Sequence, residues 1–571
     1  MDNAQIASLL LEAAEALEFL EENPFKARAF RNAARSVADL DVEVSRLLED
    51  GRIHEVKGVG PSIATVVKAW VTQGDFSFLE GLKTRLPSGY DELRKVPGLG
   101  TKRLRDLWKG LGIQRLEDLQ EALADGRIAL LKGFSRRHQE RLSRSVAEVM
   151  SYRGRYRIDE ALDWVSEVER HLCASGIHNA VTGVCRRGME VVDAVEFVCV
   201  GDGHELEHVR ASLGPLGPTA VDGRDGRAVF TFPRRPAVTI HLCPKTAFAT
   251  TLFITTGAPA HVDQARLKAR ALAMDITGEG LIRGGRVIPA AGEEEIYALF
   301  GSGPVPPELR EGRETEWLFA EGAKARDLVS EACLQGVFHV HTSMSDGKAP
   351  LAAMVRAARG RGYRWVGISD HSKGAYYANG LSVTDLMAQV RAVEAMNDAE
   401  GDMTVLSGVE SDIRPDGALD YPDEVLKRLD FVIASVHSHM DMDRKAMTDR
   451  IMRAMHHPAT SMLGHPTGRL LLARAPYEVD VDLVLKEASR MGVIVELNAH
   501  PMRLDIDWRL IGDFTADGGL VAVNPDAHTP EGLDDMRYGI LMARKGLLEC
   551  ASCINCRDVK AVREALDRQW S

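Results

Sequence analysis

Nowhere does this sequence run apolar for the roughly 18 consecutive residues that a membrane helix needs, which excludes a helical bilayer span. The chain opens Met1-Asp-Asn-Ala, without the basic and apolar regions of a secretory or transit leader, so a cytoplasmic location is expected. Cysteine is sparse and mostly scattered, eight in 571 residues, the usage of a reducing compartment and not of a disulfide-held scaffold. Positive charge is in deficit too. A formal net charge of −12 argues against indiscriminate nucleic-acid binding and leaves room only for a local basic face. Coiled-coil heptads are missing, and a monomer of three or four domains is expected at this length.

What is present is concentrated in the last third. Short apolar runs, most of them rich in β-branched residues, recur there and end on metal-type ligands. Val337-Phe-His-Val-His341 is followed by Trp365-Val-Gly-Ile-Ser-Asp-His371 and Thr404-Val-Leu-Ser-Gly-Val-Glu410. Phe431–His437, Ser461–His465, Val493–Asn498 and Leu520–His528 continue the series. Each is short enough to be a buried parallel strand. Amphipathic segments separate them, at Pro350–Arg361, Asp385–Asn397, Lys445–His457 and Val481–Met491. Strand–helix alternation predicts a β/α barrel with its chemistry at the carboxyl ends of the strands.

The residues at those ends are His339, His341, Asp346, His371, Glu410, His437, His465, Asp526 and His528. One such histidine reads as a satisfied core residue; a whole rim of them does not. Six imidazoles with three carboxylates suit Zn²⁺, Mn²⁺ or Fe²⁺ and can hold two or three ions. A multinuclear centre lowers the pKa of a bridging water and clamps the attacking and leaving oxygens of a phosphate ester, which is phosphoesterase chemistry.

His339-Val-His341, Ser345-Asp346-Gly347, Asp370-His371-Ser372, Gly464-His465-Pro466 and Asp526-Ala-His528 resemble the polymerase and histidinol phosphatase (PHP) domain. Asp420-Tyr-Pro, Ser435-Val-His437-Ser, His465-Pro-Thr-Gly-Arg469, Asn498-Ala and Arg503-Leu-Asp505 are similar to the subgroup found in bacterial family X DNA polymerases. The resemblance implies a distorted (βα)7 barrel, a trinuclear metal centre and 3′-phosphoesterase or 3′–5′ exonuclease activity on DNA. It also implies a partition: His339, His341, Glu410 and Asp526 on one ion with Glu410 bridging, Asp346, His371 and His465 on a second, and His437 and His528 on a third or orienting the phosphate. Arg469, Arg503 and Lys373 become candidate phosphate contacts.

Toward the front, residues 1–50 read as helices, with Lys26, Arg28 and Arg31 as possible phosphate contacts. Two repeats follow. Val56-Lys-Gly58-Val-Gly60 and Val96-Pro-Gly98-Leu-Gly100 share an apolar-x-Gly-apolar-Gly pattern, and the second leads into Thr101, Lys102 and Arg103. Such glycines allow a tight hairpin whose backbone N–H groups meet phosphate at a helix N-terminus, the helix-hairpin-helix form. Arg94, Lys95, Lys102, Arg103, Arg105 and Lys109 form its basic setting, and Leu131-Lys-Gly133-Phe-Ser135 looks like a decayed third copy. Lyase-active members of the resembled family carry a lysine where Val66 stands here.

Residues 155–315 resemble the polymerase palm and thumb. The stretch Gly183–Glu196 matches one that should end Gly-Asp-Ile-Asp, so the metal-holding aspartates correspond to Ala194 and Glu196, and the third to Thr239. Alanine and threonine cannot neutralise a triphosphate or activate a 3′-hydroxyl. The Pro- and Gly-rich Gly301–Pro307 reads as the start of a connection to the barrel.

The expected architecture is therefore multidomain, α followed by α/β: a helical DNA-binding domain at 1–150, a nucleotidyltransferase-like palm and thumb at 151–315, a linker at 316–335 and the PHP barrel at 336–571. The expected function is DNA 3′-end processing in repair, on gapped or nicked duplexes and primer ends of the bacterial nucleoid. The alternative is a template-directed gap-filling polymerase with a proofreading barrel. Cys550-x-x-Cys553-x-x-Cys556 has zinc-like spacing, but no fourth ligand is evident nearby, so it reads as thiols on a final strand–helix unit.

Overall fold

Asp2 starts the first helix, Asn3–Phe19, as a capping box: its carboxylate accepts the Gln5 N–H at 2.7 Å and the Gln5 side chain returns a bond to Asp2 N. The computed structural model describes all residues except 39, 41, 132, 202–204, 225, 320–327, 400, 402 and 568–571. These form two compact units, Met1–Arg153 and Gly154–Ser571. In the first, Pro24–Ala38 packs on Asn3–Phe19 and buries Phe30 and Val37 with Ile6, Leu10, Leu17 and Trp70. A second apolar cluster gathers Leu93, Leu104, Leu107, Leu116 and Leu119.

Each cluster anchors one glycine turn, the first through Val56 and Val59 and the second through Val96 and Leu99. Val59 N–H donates to Val56 O at 3.0 Å and Leu99 N–H to Val96 O at 3.1 Å, and helices Pro61–Lys68 and Thr101–Leu111 follow. Gly58 and Gly98 sit at φ +86° and +82°, a conformation L residues rarely adopt. The third copy keeps the same turn, with Phe134 N–H on Leu131 O at 3.2 Å, Gly133 at φ +96°, and helix Arg136–Ser151 after it.

The second unit begins with a five-stranded sheet in the order Asn179–Thr182, Ala194–Val200, Ala237–Cys243, Arg227–Thr231, Ala220–Arg224. Helix Ile158–Ala174 covers its apolar face through Trp164, Val165 and Val168. Helices Phe248–Thr256 and Pro259–Ala271 and a three-stranded antiparallel sheet complete the palm and thumb. The expected loose connection at 301–307 is instead built into the thumb. Val305 and Leu309 are fully buried, and the guanidinium of Arg310 pairs with Glu293 and donates to Val305 O at 2.8 Å. Glu316, also fully buried, accepts three backbone N–H bonds from residues 311–313. Residues 320–327 of the expected linker lie outside the described residues.

The barrel strands, in chain order, are β1 Gly336–Val340, β2 Trp365–Ile368, β3 Thr404–Asp412, β4 Phe431–Ser435, β5 Met462–Leu463, β6 Ile494–Asn498 and β7 Val521–Asn524. All pair in parallel and in sequence order. The barrel closes just past the strand ends, where Ala527 exchanges backbone bonds with His339 and His341 at 3.1 and 2.9 Å. This is the nearly closed seven-stranded (βα) architecture expected from the alternation of short apolar runs with amphipathic helices.

Buried polar contacts fuse palm, thumb and barrel. Lys545 is fully buried, its ammonium on Glu311 and on the carbonyls of Arg187 and Glu308. Glu190 accepts from Trp508 Nε1 at 3.0 Å and pairs with Arg509 at 2.7 Å. The consequence is a single body from Gly154 onward.

Candidate metal centre and nucleic-acid contacts

Each barrel strand delivers its polar residue at the carboxyl end, where the parallel ladder stops. Alternation along β1 would turn His339 and His341 to one side. Their rings are indeed 5.2 Å apart, but the strand is irregular there: its register shifts between Val337 and Val340, and His339 has φ +57°. His465 and Asp526 are left-handed as well, at +23° and +52°. Such conformations cost on the order of 1–3 kcal/mol each and persist where the surroundings over-determine them, as at functional sites.

Glu410 lies at the middle of the rim. Its Oε1 is 2.9 Å from His465 Nε2, 3.1 Å from His437 Nε2 and 3.4 Å from His339 Nε2; its Oε2 is 2.8 Å from His371 Nδ1. Asp526 Oδ1 approaches His341 Nε2 at 3.2 Å and His339 Nε2 at 3.4 Å. Asp346 Oδ1 lies 3.3 Å from His528 Nε2 and 3.7 Å from His371 Nε2. All nine sequence-predicted rim residues therefore converge. The grouping differs from the one the resemblance implied. His528 joins Asp346 and His371, with His341 beside them, while His465 joins His339 and Glu410. The reason is the order of strands around the barrel: β5, which carries His465, lies next to β4 and β6 and away from the loop of Asp346.

Electrostatics follow from this packing. Burial would raise the Glu410 carboxyl, but His437, His339 and His371 outweigh it and hold it far below the usual carboxylate range. Burial would lower His437, yet Glu410 and Asp412 push it up to about 9. His341 goes the other way, down to about 4, because burial acts together with His371 and His528.

The donor set fits divalent cations. His339 Nε2, both ring nitrogens of His341, His371 Nδ1, Glu410 Oε2 and His465 Nδ1 are buried without a hydrogen-bond partner among the described residues. One such orphan costs about 1–3 kcal/mol, and a cluster of them aimed at carboxylate oxygens is the arrangement that ions satisfy.

Two supporting carboxylates escaped sequence reasoning. Glu496 Oε1 is 2.5 Å from His339 Nδ1, and its Oε2 accepts His465 N–H at 2.7 Å. Asp412 Oδ1 is 2.5 Å from His437 Nδ1. Carboxylates on the far ring nitrogen fix the tautomer and orientation of a ligating histidine. A signal existed: Glu496 is a charge inside the apolar run Val493–Asn498, and Asp412 is two residues past Glu410 on one strand.

The proposed phosphate contacts divide. Arg469 does not face the rim freely, since its guanidinium donates to the carbonyls of Arg503 and Leu504 and pairs with Asp507 at 2.9 Å, pinning that loop. Arg503 Nε lies 3.3 Å from Asp526 Oδ2, and Lys373 is exposed on the loop after His371. That loop also carries the exposed Tyr376 and Tyr377, the latter with its ring 6.4 Å from that of His371.

In the amino-terminal unit, a Cβ built on Gly60, Gly98 or Gly100 would meet nothing within 4 Å, so these turns present bare backbone outward. Gly58 instead packs near Asn32 and Ala33. The basic setting is narrower than its composition suggests. Arg94 pairs with Glu15, and Arg105 and Lys109 both pair with Glu21. Arg31 pairs with Glu18, and Arg103 donates to Gly98 O at 3.0 Å. Lys95 and Lys102 remain exposed beside the turn.

In the palm, Glu196 stands directly opposite Thr239 across two parallel strands, and Ala194 is two residues along on the same side. Register thus sets these three positions side by side, with a carboxylate at one of them. Glu196 is bound to His241 Nε2 at 2.9 Å, while Asp193 precedes the strand and is exposed.

Bare-backbone hairpins, a palm–thumb body and a barrel rim of imidazoles and carboxylates define a multidomain DNA-binding enzyme with a phosphoesterase domain. A helix-hairpin-helix domain matches residues 1–76, a DNA polymerase beta thumb residues 251–311 and a PHP domain residues 338–500. The chain is 32% identical over 577 residues, 100% of both proteins, to the DNA polymerase/3′-5′ exonuclease PolX of Bacillus subtilis (strain 168). It is 29% identical over 210 residues to a probable phosphatase of Caldanaerobacter subterraneus subsp. tengcongensis, 33% of this chain and 74% of that protein. A probable phosphatase of Acetivibrio thermocellus is 28% identical over 174 residues, 28% of this chain and 64% of its own length. This chain belongs to the PolX-like family X DNA polymerases that carry a C-terminal PHP domain. Among the described residues no helix is long and apolar enough to cross a membrane.

Proposed function

We propose that this chain is a metal-dependent 3′-end-processing phosphoesterase, a 3′–5′ exodeoxyribonuclease of DNA repair, whose palm binds DNA without polymerising it. The observation that carries the reading is the set of buried, unpartnered ligand atoms converging on Glu410. His339, His341, Glu410 and Asp526 would hold one divalent ion, Glu410, His437 and His465 a second, and Asp346, His371 and His528 a third. When bound, such ions, Mn²⁺, Zn²⁺ or Fe²⁺, supply Lewis-acid polarisation of the phosphate and a water of lowered pKa.

The remaining residues bind and orient. Glu496 and Asp412 fix the rings of His339 and His437. Arg503 and Lys373 neutralise the scissile phosphate, while Tyr376 and Tyr377 stack on the terminal base, a contact tolerant of sequence. Arg469 supports the Arg503 loop. The turns at Gly58–Gly60 and Gly98–Gly100, with Lys102 and Arg103, hold the duplex backbone. We assign residues 1–150 to DNA binding, 151–315 to the palm and thumb and 336–571 to the barrel, joined through 316–335, in a cytoplasmic, nucleoid-associated monomer.

One glutamate in place of three aspartates cannot hold the ion pair of nucleotidyl transfer. Ala194 and Thr239 offer no carboxylate, and Glu196 already engages His241. The full-length likeness to a protein named both polymerase and exonuclease favours a second reading, template-directed gap filling with a proofreading barrel. A 5′-labelled primer on a gapped template, with Mn²⁺, separates the two. Shortening that deoxynucleotides do not reverse supports a nuclease; template-dependent lengthening refutes the inactive palm. His339→Ala is expected to abolish shortening while DNA binding persists.

A further inference from the structure

The barrel carries a second cluster of candidate ligands, thiols where the rim has imidazoles and carboxylates. Cys333 lies in the 3-10 turn Glu331–Cys333 that leads into β1. Cys550, Cys553 and Cys556 lie between the last two helices, Met536–Lys545 and Val559–Leu566, in two further 3-10 turns. Cys553 is the extended residue between the two turns, and the chain reversal they make brings Cys550 and Cys556 together. The Sγ atoms of Cys333, Cys550 and Cys556 all fall within 4.8 Å of one another. Cys553, between the last two in the motif, is fully buried with its Sγ donating to Asn555 Oδ1 at 3.6 Å, a bond it would exchange for a metal. None of the four is in a disulfide. Sequence reasoning found no fourth ligand because the fold brings it from the opposite end of the barrel.

A backbone donor stands beside Cys333. Ser330 N–H points at Cys333 Sγ at 3.3 Å, and Ser330 Oγ is 2.9 Å from the same sulfur. Backbone and hydroxyl donors to sulfur stabilise the anionic, ligating form. The position also has a mechanical meaning. Asn555, inside the motif, stitches the first strand to the last: its Nδ2 donates to Gly336 O and Val523 O, and its Oδ1 accepts Val523 N–H at 2.7 Å. Gln335 N–H donates to Asn555 O, and Val329 N–H to Leu548 O. The four cysteines thus flank the seam where the two ends of the barrel meet.

We propose that Cys333, Cys550, Cys553 and Cys556 bind one structural zinc ion that clasps this seam. Tetrahedral zinc at Zn–S 2.3 Å sets its sulfurs about 3.8 Å apart, inside the 4.8 Å that bounds the separations of Cys333, Cys550 and Cys556. An iron–sulfur cubane binds each thiolate to a different iron and spreads the sulfurs farther. A clip that closes so long a loop also removes the most entropy from the unfolded chain.

The test is a Co²⁺ titration of the metal-stripped full-length protein, followed by Zn²⁺ competition. Thiolate ligands give an intense sulfur-to-cobalt charge-transfer band in the near ultraviolet, which the nitrogen and oxygen ligands of the imidazole rim cannot produce. The band is expected to saturate at one equivalent, to survive in His339→Ala, and to be displaced by Zn²⁺. Cys333→Ser and Cys550→Ser are expected to lose it along with one equivalent of bound zinc. Absence of the band in the wild-type protein overturns the proposal whether or not the variants fold. Iron and inorganic sulfide in the purified protein would overturn it in favour of a cluster.

Discussion

Glu496 Oε1 stands 2.5 Å from His339 Nδ1, on a strand whose neighbouring side chains Ile494, Val495 and Leu497 are buried and apolar. The carboxylate has no access to water, and it also holds the backbone N–H of His465. One side chain thus orients two rim residues from different strands. Glu496→Gln keeps the shape but removes the charge, and metal affinity is expected to fall roughly 10–100-fold. Metal content against free Mn²⁺ measures this; unchanged affinity would make Glu496 merely structural.

Chelation probes the rim as a whole. Ligands that bind only the native state stabilise it, by about 2.7 kcal/mol at a hundredfold excess over Kd. EDTA is expected to abolish primer shortening and lower the melting temperature, and to leave mobility-shift binding of gapped DNA intact. Full nuclease activity after exhaustive chelation would remove the metal reading.

Glu196→Gln tests the palm. With Ala194 and Thr239 beside it, Glu196 supports no second metal ligand, so the substitution is expected to change neither primer shortening nor DNA affinity. If the wild-type protein extends primers on a template and Glu196→Gln does not, the palm is a working polymerase.

The hairpins should answer to salt. Lys102 is exposed beside a turn of bare backbone, and Lys102→Ala is expected to weaken duplex binding equally for all sequences and reduce the slope of log affinity against log salt by about 1. Gly98→Ala forces a side chain to φ +82°, a strain of about 1–2 kcal/mol that should show in the melting of the amino-terminal unit. An unaltered salt slope for Lys102→Ala would remove this lysine from the interface.

Lys545 holds the thumb side to the barrel. Its removal leaves Glu311 with Arg187 alone, at 3.0 Å, and strips the carbonyls of Arg187 and Glu308 of their donor; breaking a buried pair typically costs about 3–5 kcal/mol. Lys545→Met is therefore expected to lower the denaturation midpoint sharply, while Lys373→Met, at an exposed position, leaves it unchanged. Equal midpoints for the two variants would show that Lys545 adds little to the fusion.

The gathering of histidines and carboxylates at the barrel rim was legible from the chain alone because most of them carry a local signal, a short apolar run ending in a histidine or carboxylate. The glycine turns were legible for the same reason: φ above +80° at Gly58 and Gly98 is a local demand that only glycine meets cheaply. Strand pairing places Glu196 opposite Thr239, two positions that the sequence had already set together.

Other features were decided by contacts between distant segments, and no local pattern encodes those. The share of His465 in the Glu410 group follows from the circular order of strands. Whether Arg469 meets a phosphate or three groups of the loop after β6 depends on how Arg503–Asp507 folds over it. Glu15 and Glu21 withdraw three of the basic residues near the second hairpin, an effect invisible in composition. Cys333 reaches Cys550 and Cys556 only when the barrel closes. Sequence by itself determined which chemical groups this protein carries and at which ends of which elements; tertiary structure decided which of them meet, because partners on separate strands are brought together by barrel closure and not by spacing along the chain.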